Sequence, residues 1–171
     1  MTIATVAAPL SIVASGQRLL DVVQQILVND YGIEIPDIVG VMPGGLIAYD
    51  GPQLTVNLVT ITLGLPGAAR TTTDHPTKTQ QFYEWNLMLL RDTPVIGNDG
   101  TASTPDPVDL AASAVQLFND ASAMWATMVT INANYLMSTA GVPFGYGPLH
   151  ALGPDGGLAG CGLSVFVLAD S

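Results

Sequence analysis

The sequence predicts an α+β protein in which two α-helices pack on one mainly antiparallel β-sheet. Two segments, one near the N-terminus and one after residue 106, have apolar residues at helical spacing. Three segments, 53–63, 80–91 and 161–168, alternate apolar and polar side chains as strands do. The order helix, strand, strand, helix, strand predicts helices against an antiparallel sheet. We expect the 171 residues to form a single domain.

The first predicted helix begins at Ser15 or Gly16 and ends near Asn29. Its apolar residues recur at steps of three and four, so one face is expected to be buried; they are Leu19, Val22, Val23, Ile26 and Leu27. Residues 33–45 follow with two prolines and a pair of glycines. We expect this segment to be an extended or turning connection without a regular element.

Two strands are predicted next, at residues 53–63 and 80–91. In the first, the alternation changes phase between Leu58 and Val59. One change of phase in a period of two predicts a β-bulge or a sharp twist. The second strand has aromatic and leucine side chains on one face, and its end is apolar on both faces. We expect the two strands to pair antiparallel.

Two segments are predicted to reach beyond the domain. Residues 1–14 are expected to form an arm or short strand that lies on a neighbouring subunit. Residues 64–79 contain two prolines, two glycines and five threonines and have no apolar period, so they are expected to protrude. This tip is either mobile or a contact arm. The contact residues would be Arg70, Asp74, His75 and Lys78 in the tip, together with Arg91.

The long second helix is capped by Asp106 or Thr104 and continues for about 30 residues, or roughly 45 Å. The residues predicted to form its buried face, which we call the seam, recur at alternating steps of four and three residues. They are Leu110, Ala114, Leu117, Ala121, Met124, Met128, Ile131 and Tyr135. Because the residues beside this seam are nearly uncharged, we expect a helix packed across the sheet and against a neighbour, not a free coiled coil. A tight turn at 153–157 then precedes the last strand.

Composition limits the classes of partner. Four lysine and arginine residues oppose fourteen carboxylates, for a net charge of -10, so tight binding of nucleic acid is not expected. Charged residues are only 11% of the chain, against roughly 25% in an average soluble domain. Part of the surface is therefore predicted to contact other subunits. No membrane span is predicted, and one cysteine, Cys161, indicates a reducing compartment.

Three candidate constellations for chemistry each have a simpler structural explanation. Cys161 with His150 and Asp155 could supply a nucleophile, but a cysteine in an apolar strand is usually inert. Asp74 and His75 lack a third ligand at zinc-like spacing. The carboxylates at positions 106 and 109 suit a helix N-terminus. We therefore predict that the protein is not an enzyme and that it has no catalytic, cofactor-binding or metal-binding residues.

Four stretches of the chain carry a resemblance to a known family. In order after the first helix they are AYDGPQLTVNLVTITLG, QQFYEWNLMLLRD, DLAASAVQLFNDASAMWATM and GPLHALGPDGGLAGCGLSVFV. The chain beyond about residue 15 resembles the tail terminator proteins of long-tailed bacteriophages, and its glycine-rich turn is similar to versions from actinobacteriophages. Such proteins cap the tail tube and join it to the head.

The resemblance implies a tail-terminator-like fold and a ring, usually of six subunits, around a channel through which DNA passes without sequence-specific binding. It implies the tail tube protein and the head-tail connector protein as partners. The location would be the head-proximal end of the virion tail, after assembly in the host cytoplasm. Arg70 and Lys78 would then pair with carboxylates of a neighbour or of the tube.

Two other interpretations remain open at this stage. The first is a head-tail connector (stopper) or a tail tube subunit, which also form acidic rings. The second is a small-molecule binding protein, which would use the aromatic residues Tyr83, Trp85, Phe144 and Tyr146 as a pocket.

Overall fold

The structure is a computed structural model that describes residues 12–44, 51–63, 81–94, 105–137, 144–155 and 157–168. Within these ranges it has two helices and six strands in one sheet, so the predicted α+β class is confirmed. In chain order the elements are α1 Ile12–Asn29, β1 Ile38–Pro43, β2 Gln53–Leu63, β3 Gln81–Asp92, α2 Pro107–Ala133, β4 Gly145–Tyr146, β5 His150–Asp155 and β6 Leu158–Leu168.

The sheet has the strand order β1-β2-β3-β6-β4, and β5 also pairs with β6. Every pairing is antiparallel except that of β1 with β2, which is parallel. The predicted antiparallel pairing of β2 with β3 is therefore confirmed. The register of this pair shifts between Leu58 and Thr60, which confirms the bulge that the change of phase predicts. Val59 lies in this irregularity, and its side chain is exposed.

Helix α1 lies against β1 and β2. It begins at Ile12, so residues 12–14 of the predicted arm belong to the helix, and the rest of the arm lies outside the described residues. The buried face is as predicted at Leu19, Val23 and Leu27. A Cβ atom on Gly16 would lie 2.6 Å from Cη2 of Trp85, so this glycine allows the close approach of α1 to the sheet.

Helix α2 begins as predicted, because Oδ1 of Asp106 accepts a hydrogen bond of 2.8 Å from the backbone N–H of Val108. The predicted seam is confirmed in the second half of the helix, where Met124, Met128 and Ile131 are fully buried. It is wrong at both ends, where Leu110 is 43% and Tyr135 is 72% exposed. Buried positions begin only at residue 120, so the first half of α2 does not contribute to the core.

Three strands were not expected from the sequence. Residues 38–43 form β1, where a connection without regular structure is predicted, and β4 and β5 lie in the passage before the last strand. Gly157, in the turn between β5 and β6, has a φ of 88°, a backbone conformation that a tight turn requires and that glycine adopts readily. Pro154 belongs to β5 and not to the turn. Strand β6 begins at Leu158, three residues before the predicted start.

The core lies between the two helices and one face of the sheet. Trp85, Leu87 and Leu89 of β3 and Leu163 and Val165 of β6 are all buried in it. Helix α2 packs on α1 and on β6, while α1 covers β1 and β2, so the two helices lie side by side on the same face. In the part of the chain that the structure describes, neither helix has the length and hydropathy of a membrane span.

Candidate functional site

The structure describes one of the five predicted contact residues. Arg70, Asp74, His75 and Lys78 belong to the predicted tip at 64–79, which lies outside the described residues. Their predicted contacts with a neighbouring subunit or a tail tube stay predictions.

Arg91 is placed inside the fold, at the end of β3, with 8% of its surface exposed. Its Nε donates a hydrogen bond of 2.8 Å to Oδ2 of Asp120, and its Nη2 lies 3.3 Å from Oδ1 of the same carboxylate. Nη2 also donates a bond of 2.6 Å to the backbone oxygen of Glu34. The predicted role of Arg91 as a surface contact is therefore wrong, because its guanidinium joins β3, α2 and the segment after α1.

Asp120 reaches Arg91 because it lies on the buried face of α2, in line with Met124, Thr127 and Ile131. It is 2% exposed and is the only charged residue of that buried face. Two grooves of about 300 and 330 Å³ open beside the ion pair, and carboxylates of Glu34, Asp37 and Asp92 line them. Nε and Nη2 of Arg91 are already hydrogen-bonded to Asp120 and Glu34. The charge that these grooves present to a ligand is therefore mainly that of the carboxylates.

The candidate nucleophile is not assembled. Cys161 pairs with Ala151, whereas His150 pairs with Gly162, so the thiol and the imidazole lie on opposite faces of the sheet. Cys161 is 1% exposed and belongs to the core. Burial, followed by the nearby charge of Asp120, raises the pKa of this thiol from 9.0 to about 12. Such a thiol is protonated and unreactive at neutral pH, as its position in an apolar strand predicts.

The four aromatic residues of the proposed small-molecule pocket pack into the protein. Tyr83, Trp85 and Phe144 are buried in the core. The rings of Tyr83 and Trp85 meet edge to face at 6.4 Å, and Phe144 contacts Tyr146 at 5.9 Å. Tyr146 also contacts Trp125 of α2 at 5.4 Å. These side chains fill space between elements of the described fold, and the predicted ligand pocket that they would form stays a prediction.

A surface that was not predicted runs along the outside of α2. We call it the outer stripe, and its large apolar side chains are between 44% and 74% exposed. They recur with Ala111 and Ser122 at steps of three and four, which places them on one face of the helix. The large members are Val108, Val115, Phe118, Trp125 and Val129. The signal was present in the sequence as a second apolar series, displaced by one residue from the predicted seam.

The outer stripe is also free of charge. Helix α2 contains two charged residues, Asp109 and Asp120, and the second is buried against Arg91. Asp109 lies in the first turn, where a carboxylate interacts favourably with the positive end of the helix dipole. One face of a 27-residue helix is therefore mainly apolar, uncharged and exposed. Among the described residues, no group of three or more histidine, cysteine, aspartate or glutamate side chains is placed to hold a metal ion.

No protein-family model matches the chain, and no curated protein matches it.

Proposed function

We propose that this protein is a tail terminator of a long-tailed bacteriophage, a structural subunit that forms a ring, caps the tail tube and joins the tail to the head. The proposal combines the resemblance of the sequence with the physical character of the described surface. Among the described residues, the helices and strands of the resemblance follow the expected order from the helix at Ile12–Asn29 to the closing strand at Leu158–Leu168, with β1, β4 and β5 in addition.

The outer stripe of α2 is the observation that carries an assembly role. Single exposed apolar residues are normal on soluble proteins, but a large, mainly apolar and uncharged face usually marks a surface that another molecule covers. The face here includes Phe118, which is 74% exposed. The low charged fraction of the chain, 11%, is consistent with a protein that buries much of its surface against other subunits.

The charge of the chain supports a ring that lets DNA pass. With a net charge of -10, each subunit repels a phosphate backbone instead of retaining it. In a ring of about six subunits, carboxylates near the channel would keep DNA from adhering to the wall. The partners are other copies of the chain, the tail tube protein and the head-tail connector protein, at the head-proximal end of the tail.

Deletion of the gene from the phage that encodes it tests this function. We expect overlong tails, or tails that are not joined to heads, in electron micrographs of lysates, and rescue by a plasmid copy of the gene. Tailless heads that lose DNA would identify a connector instead, and absence of tail tubes would identify a tube subunit. Normal virions after deletion would exclude all three roles.

A second experiment uses the purified protein. Imaging it alone and with purified tail tubes is expected to show rings, free in solution or seated on one end of each tube. Binding along the sides of the tubes, or to none of their parts, would contradict a terminator.

A further inference from the structure

The outer stripe is large enough to form most of one side of a protein interface. Its two aromatic side chains, Phe118 and Trp125, together leave roughly 250 Å² exposed, since a whole aromatic side chain presents 150–250 Å². With the three valines the stripe reaches roughly 500 Å², close to the upper size of apolar patches on monomers. A standard interface buries about 800 Å² on each partner, so the stripe would supply somewhat more than half of one side.

The chemistry of the stripe indicates a partner surface without charge. The stripe offers no carboxylate to a basic partner and no cation to an acidic one. Two copies of a chain with a net charge of -10 repel each other, so they associate most readily where neither buries a charge. An uncharged helical face is such a place.

Three exposed apolar side chains lie at the other side of the fold. Val13, Val59 and Ile61 are between 46% and 67% exposed. Ile61 pairs with Tyr83, whose side chain lies in the core beneath the helices, so Ile61 shares the helix-bearing face of the sheet. Val13 lies in the first turns of α1, which packs on β1 and β2. We call these three residues the β2 patch.

The stripe and the patch lie toward opposite edges of the sheet. Helix α2 packs on β6, and its Trp125 contacts Tyr146 of β4 at one edge. Val59 and Ile61 of the β2 patch lie on β2 just beyond Leu58, its last residue paired with β1, and so at the side of the sheet away from β4. Contact between different surfaces on opposite sides of a subunit is heterologous, and it produces a ring when the rotation closes.

We infer that the outer stripe of α2 packs on the β2 patch of a second copy of this chain, head to tail. This inference names the subunit contact of the proposed ring and so rests on the proposed function. Each subunit uses both surfaces once, and the contact buries apolar side chains without burying a charge.

Matched lysine substitutions test whether the stripe is the contact. Val115→Lys places a charge in the stripe, and Val28→Lys places the same charge at an exposed position of α1 outside it. Both change the net charge from -10 to -9, so neither increases the general repulsion between copies. By analytical ultracentrifugation we expect wild type and Val28→Lys to associate with increasing concentration, and Val115→Lys to bind at least tenfold more weakly. Equal association of both variants, or a wild type that stays monomeric at about 100 μM, would overturn the inference.

Cysteine crosslinking tests the head-to-tail arrangement. Cys161 is 1% exposed, so it does not take part in crosslinking between subunits. A cysteine introduced at the surface therefore supplies the reactive thiol. We expect Phe118→Cys and Ile61→Cys proteins to form a disulfide dimer when they are mixed, but not when each is oxidised alone. Efficient crosslinking of Phe118→Cys alone would show two stripes facing each other and would refute the head-to-tail contact. Circular dichroism confirms that each variant is folded.

The two proposals fail in distinguishable ways. Rings that persist with Val115→Lys would place the subunit contact elsewhere and leave the tail function standing. Head-to-tail crosslinking of a protein whose gene deletion leaves normal tails would remove the terminator function and leave the contact standing.

Discussion

Replacing Arg91 by methionine removes a guanidinium from the interior and keeps an unbranched side chain of similar length. In the folded protein, the carboxylate of Asp120 is 2% exposed and loses its bonds of 2.8 and 3.3 Å to Arg91. The backbone oxygen of Glu34 loses its bond of 2.6 Å. Removing one member of a buried ion pair costs about 3–5 kcal/mol, because the other charge stays buried without a partner.

The companion variants separate the pair from its surroundings. Asp120→Leu alone leaves the guanidinium of Arg91 buried without its ion-pair partner. We expect a similar loss of about 3–5 kcal/mol in the free energy of unfolding. In the double variant, Arg91→Met with Asp120→Leu, neither charge is left unpaired. The loss is then expected to be well below the sum of the single losses, with a coupling energy of about 2–3 kcal/mol.

Urea denaturation followed by circular dichroism gives these free energies by linear extrapolation. Arg18→Met is the matched control, because the guanidinium of Arg18 also donates to a backbone oxygen, that of Leu136 at 2.8 Å, but from an exposed position. We expect this control to lose about 1 kcal/mol or less. Additive losses in the double variant, or an Arg91→Met loss no larger than that of the control, would refute a stabilising buried pair.

Two other predictions concern the core. Gly16→Ala is expected to lower the free energy of unfolding by about 1–3 kcal/mol, because the added Cβ would lie 2.6 Å from Trp85 and 2.8 Å from Val41. Gly40→Ala should not destabilise the protein, because a Cβ there meets nothing within 4 Å. Thermal unfolding compares the two, and equal melting temperatures would contradict the close packing. Cys161 has a pKa raised from 9.0 to about 12, so above pH 9 the unfolded chain loses a proton that the folded chain keeps. Stability should therefore fall as pH rises from 9 to 12, by about 1.4 kcal/mol per unit at most. Urea midpoints of Cys161→Ala should decline less over this range, and parallel profiles would contradict the burial of the thiol.

The sequence predicted the elements whose pattern is set by one buried face. Strands β2 and β3 alternate cleanly, and the change of phase at Leu58 marked the bulge correctly. Strand β1 was missed because it is six residues long, lies at an edge and ends at Pro43. Prolines and glycines normally indicate turns, yet an edge strand tolerates them because half of its backbone groups need no partner.

The contact role of Arg91 could not be judged from composition, because an arginine at the end of a strand is normally exposed. Its partner Asp120 lies 29 residues away. A signal did exist, since Asp120 is a carboxylate in line with Met124 and Ile131 on the predicted helix. A lone charge on an apolar face requires a buried partner of opposite sign.

The burial of α2 could be predicted only in part for a different reason. The series that begins at Leu110 and the series of the outer stripe are both apolar and uncharged, so periodicity alone does not decide which one faces the sheet. The structure buries the first series only after residue 120, where β6 and α1 lie beneath the helix. The extent of the sheet under a helix is a property of the fold and is not encoded in the spacing of the helix itself.

The division of α2 into two halves has a consequence for its backbone dynamics. In residues 120–133, opening the helical hydrogen bonds requires exposure of Met124, Met128 and Ile131, so amide exchange there requires nearly global unfolding. In residues 107–119, no buried side chain opposes opening, and the amides exchange through local fraying at a lower free energy. A neighbour that binds only the formed helix adds its binding free energy to this half. Where a neighbour covers this half, that contact then determines how long the first turns of α2 stay closed.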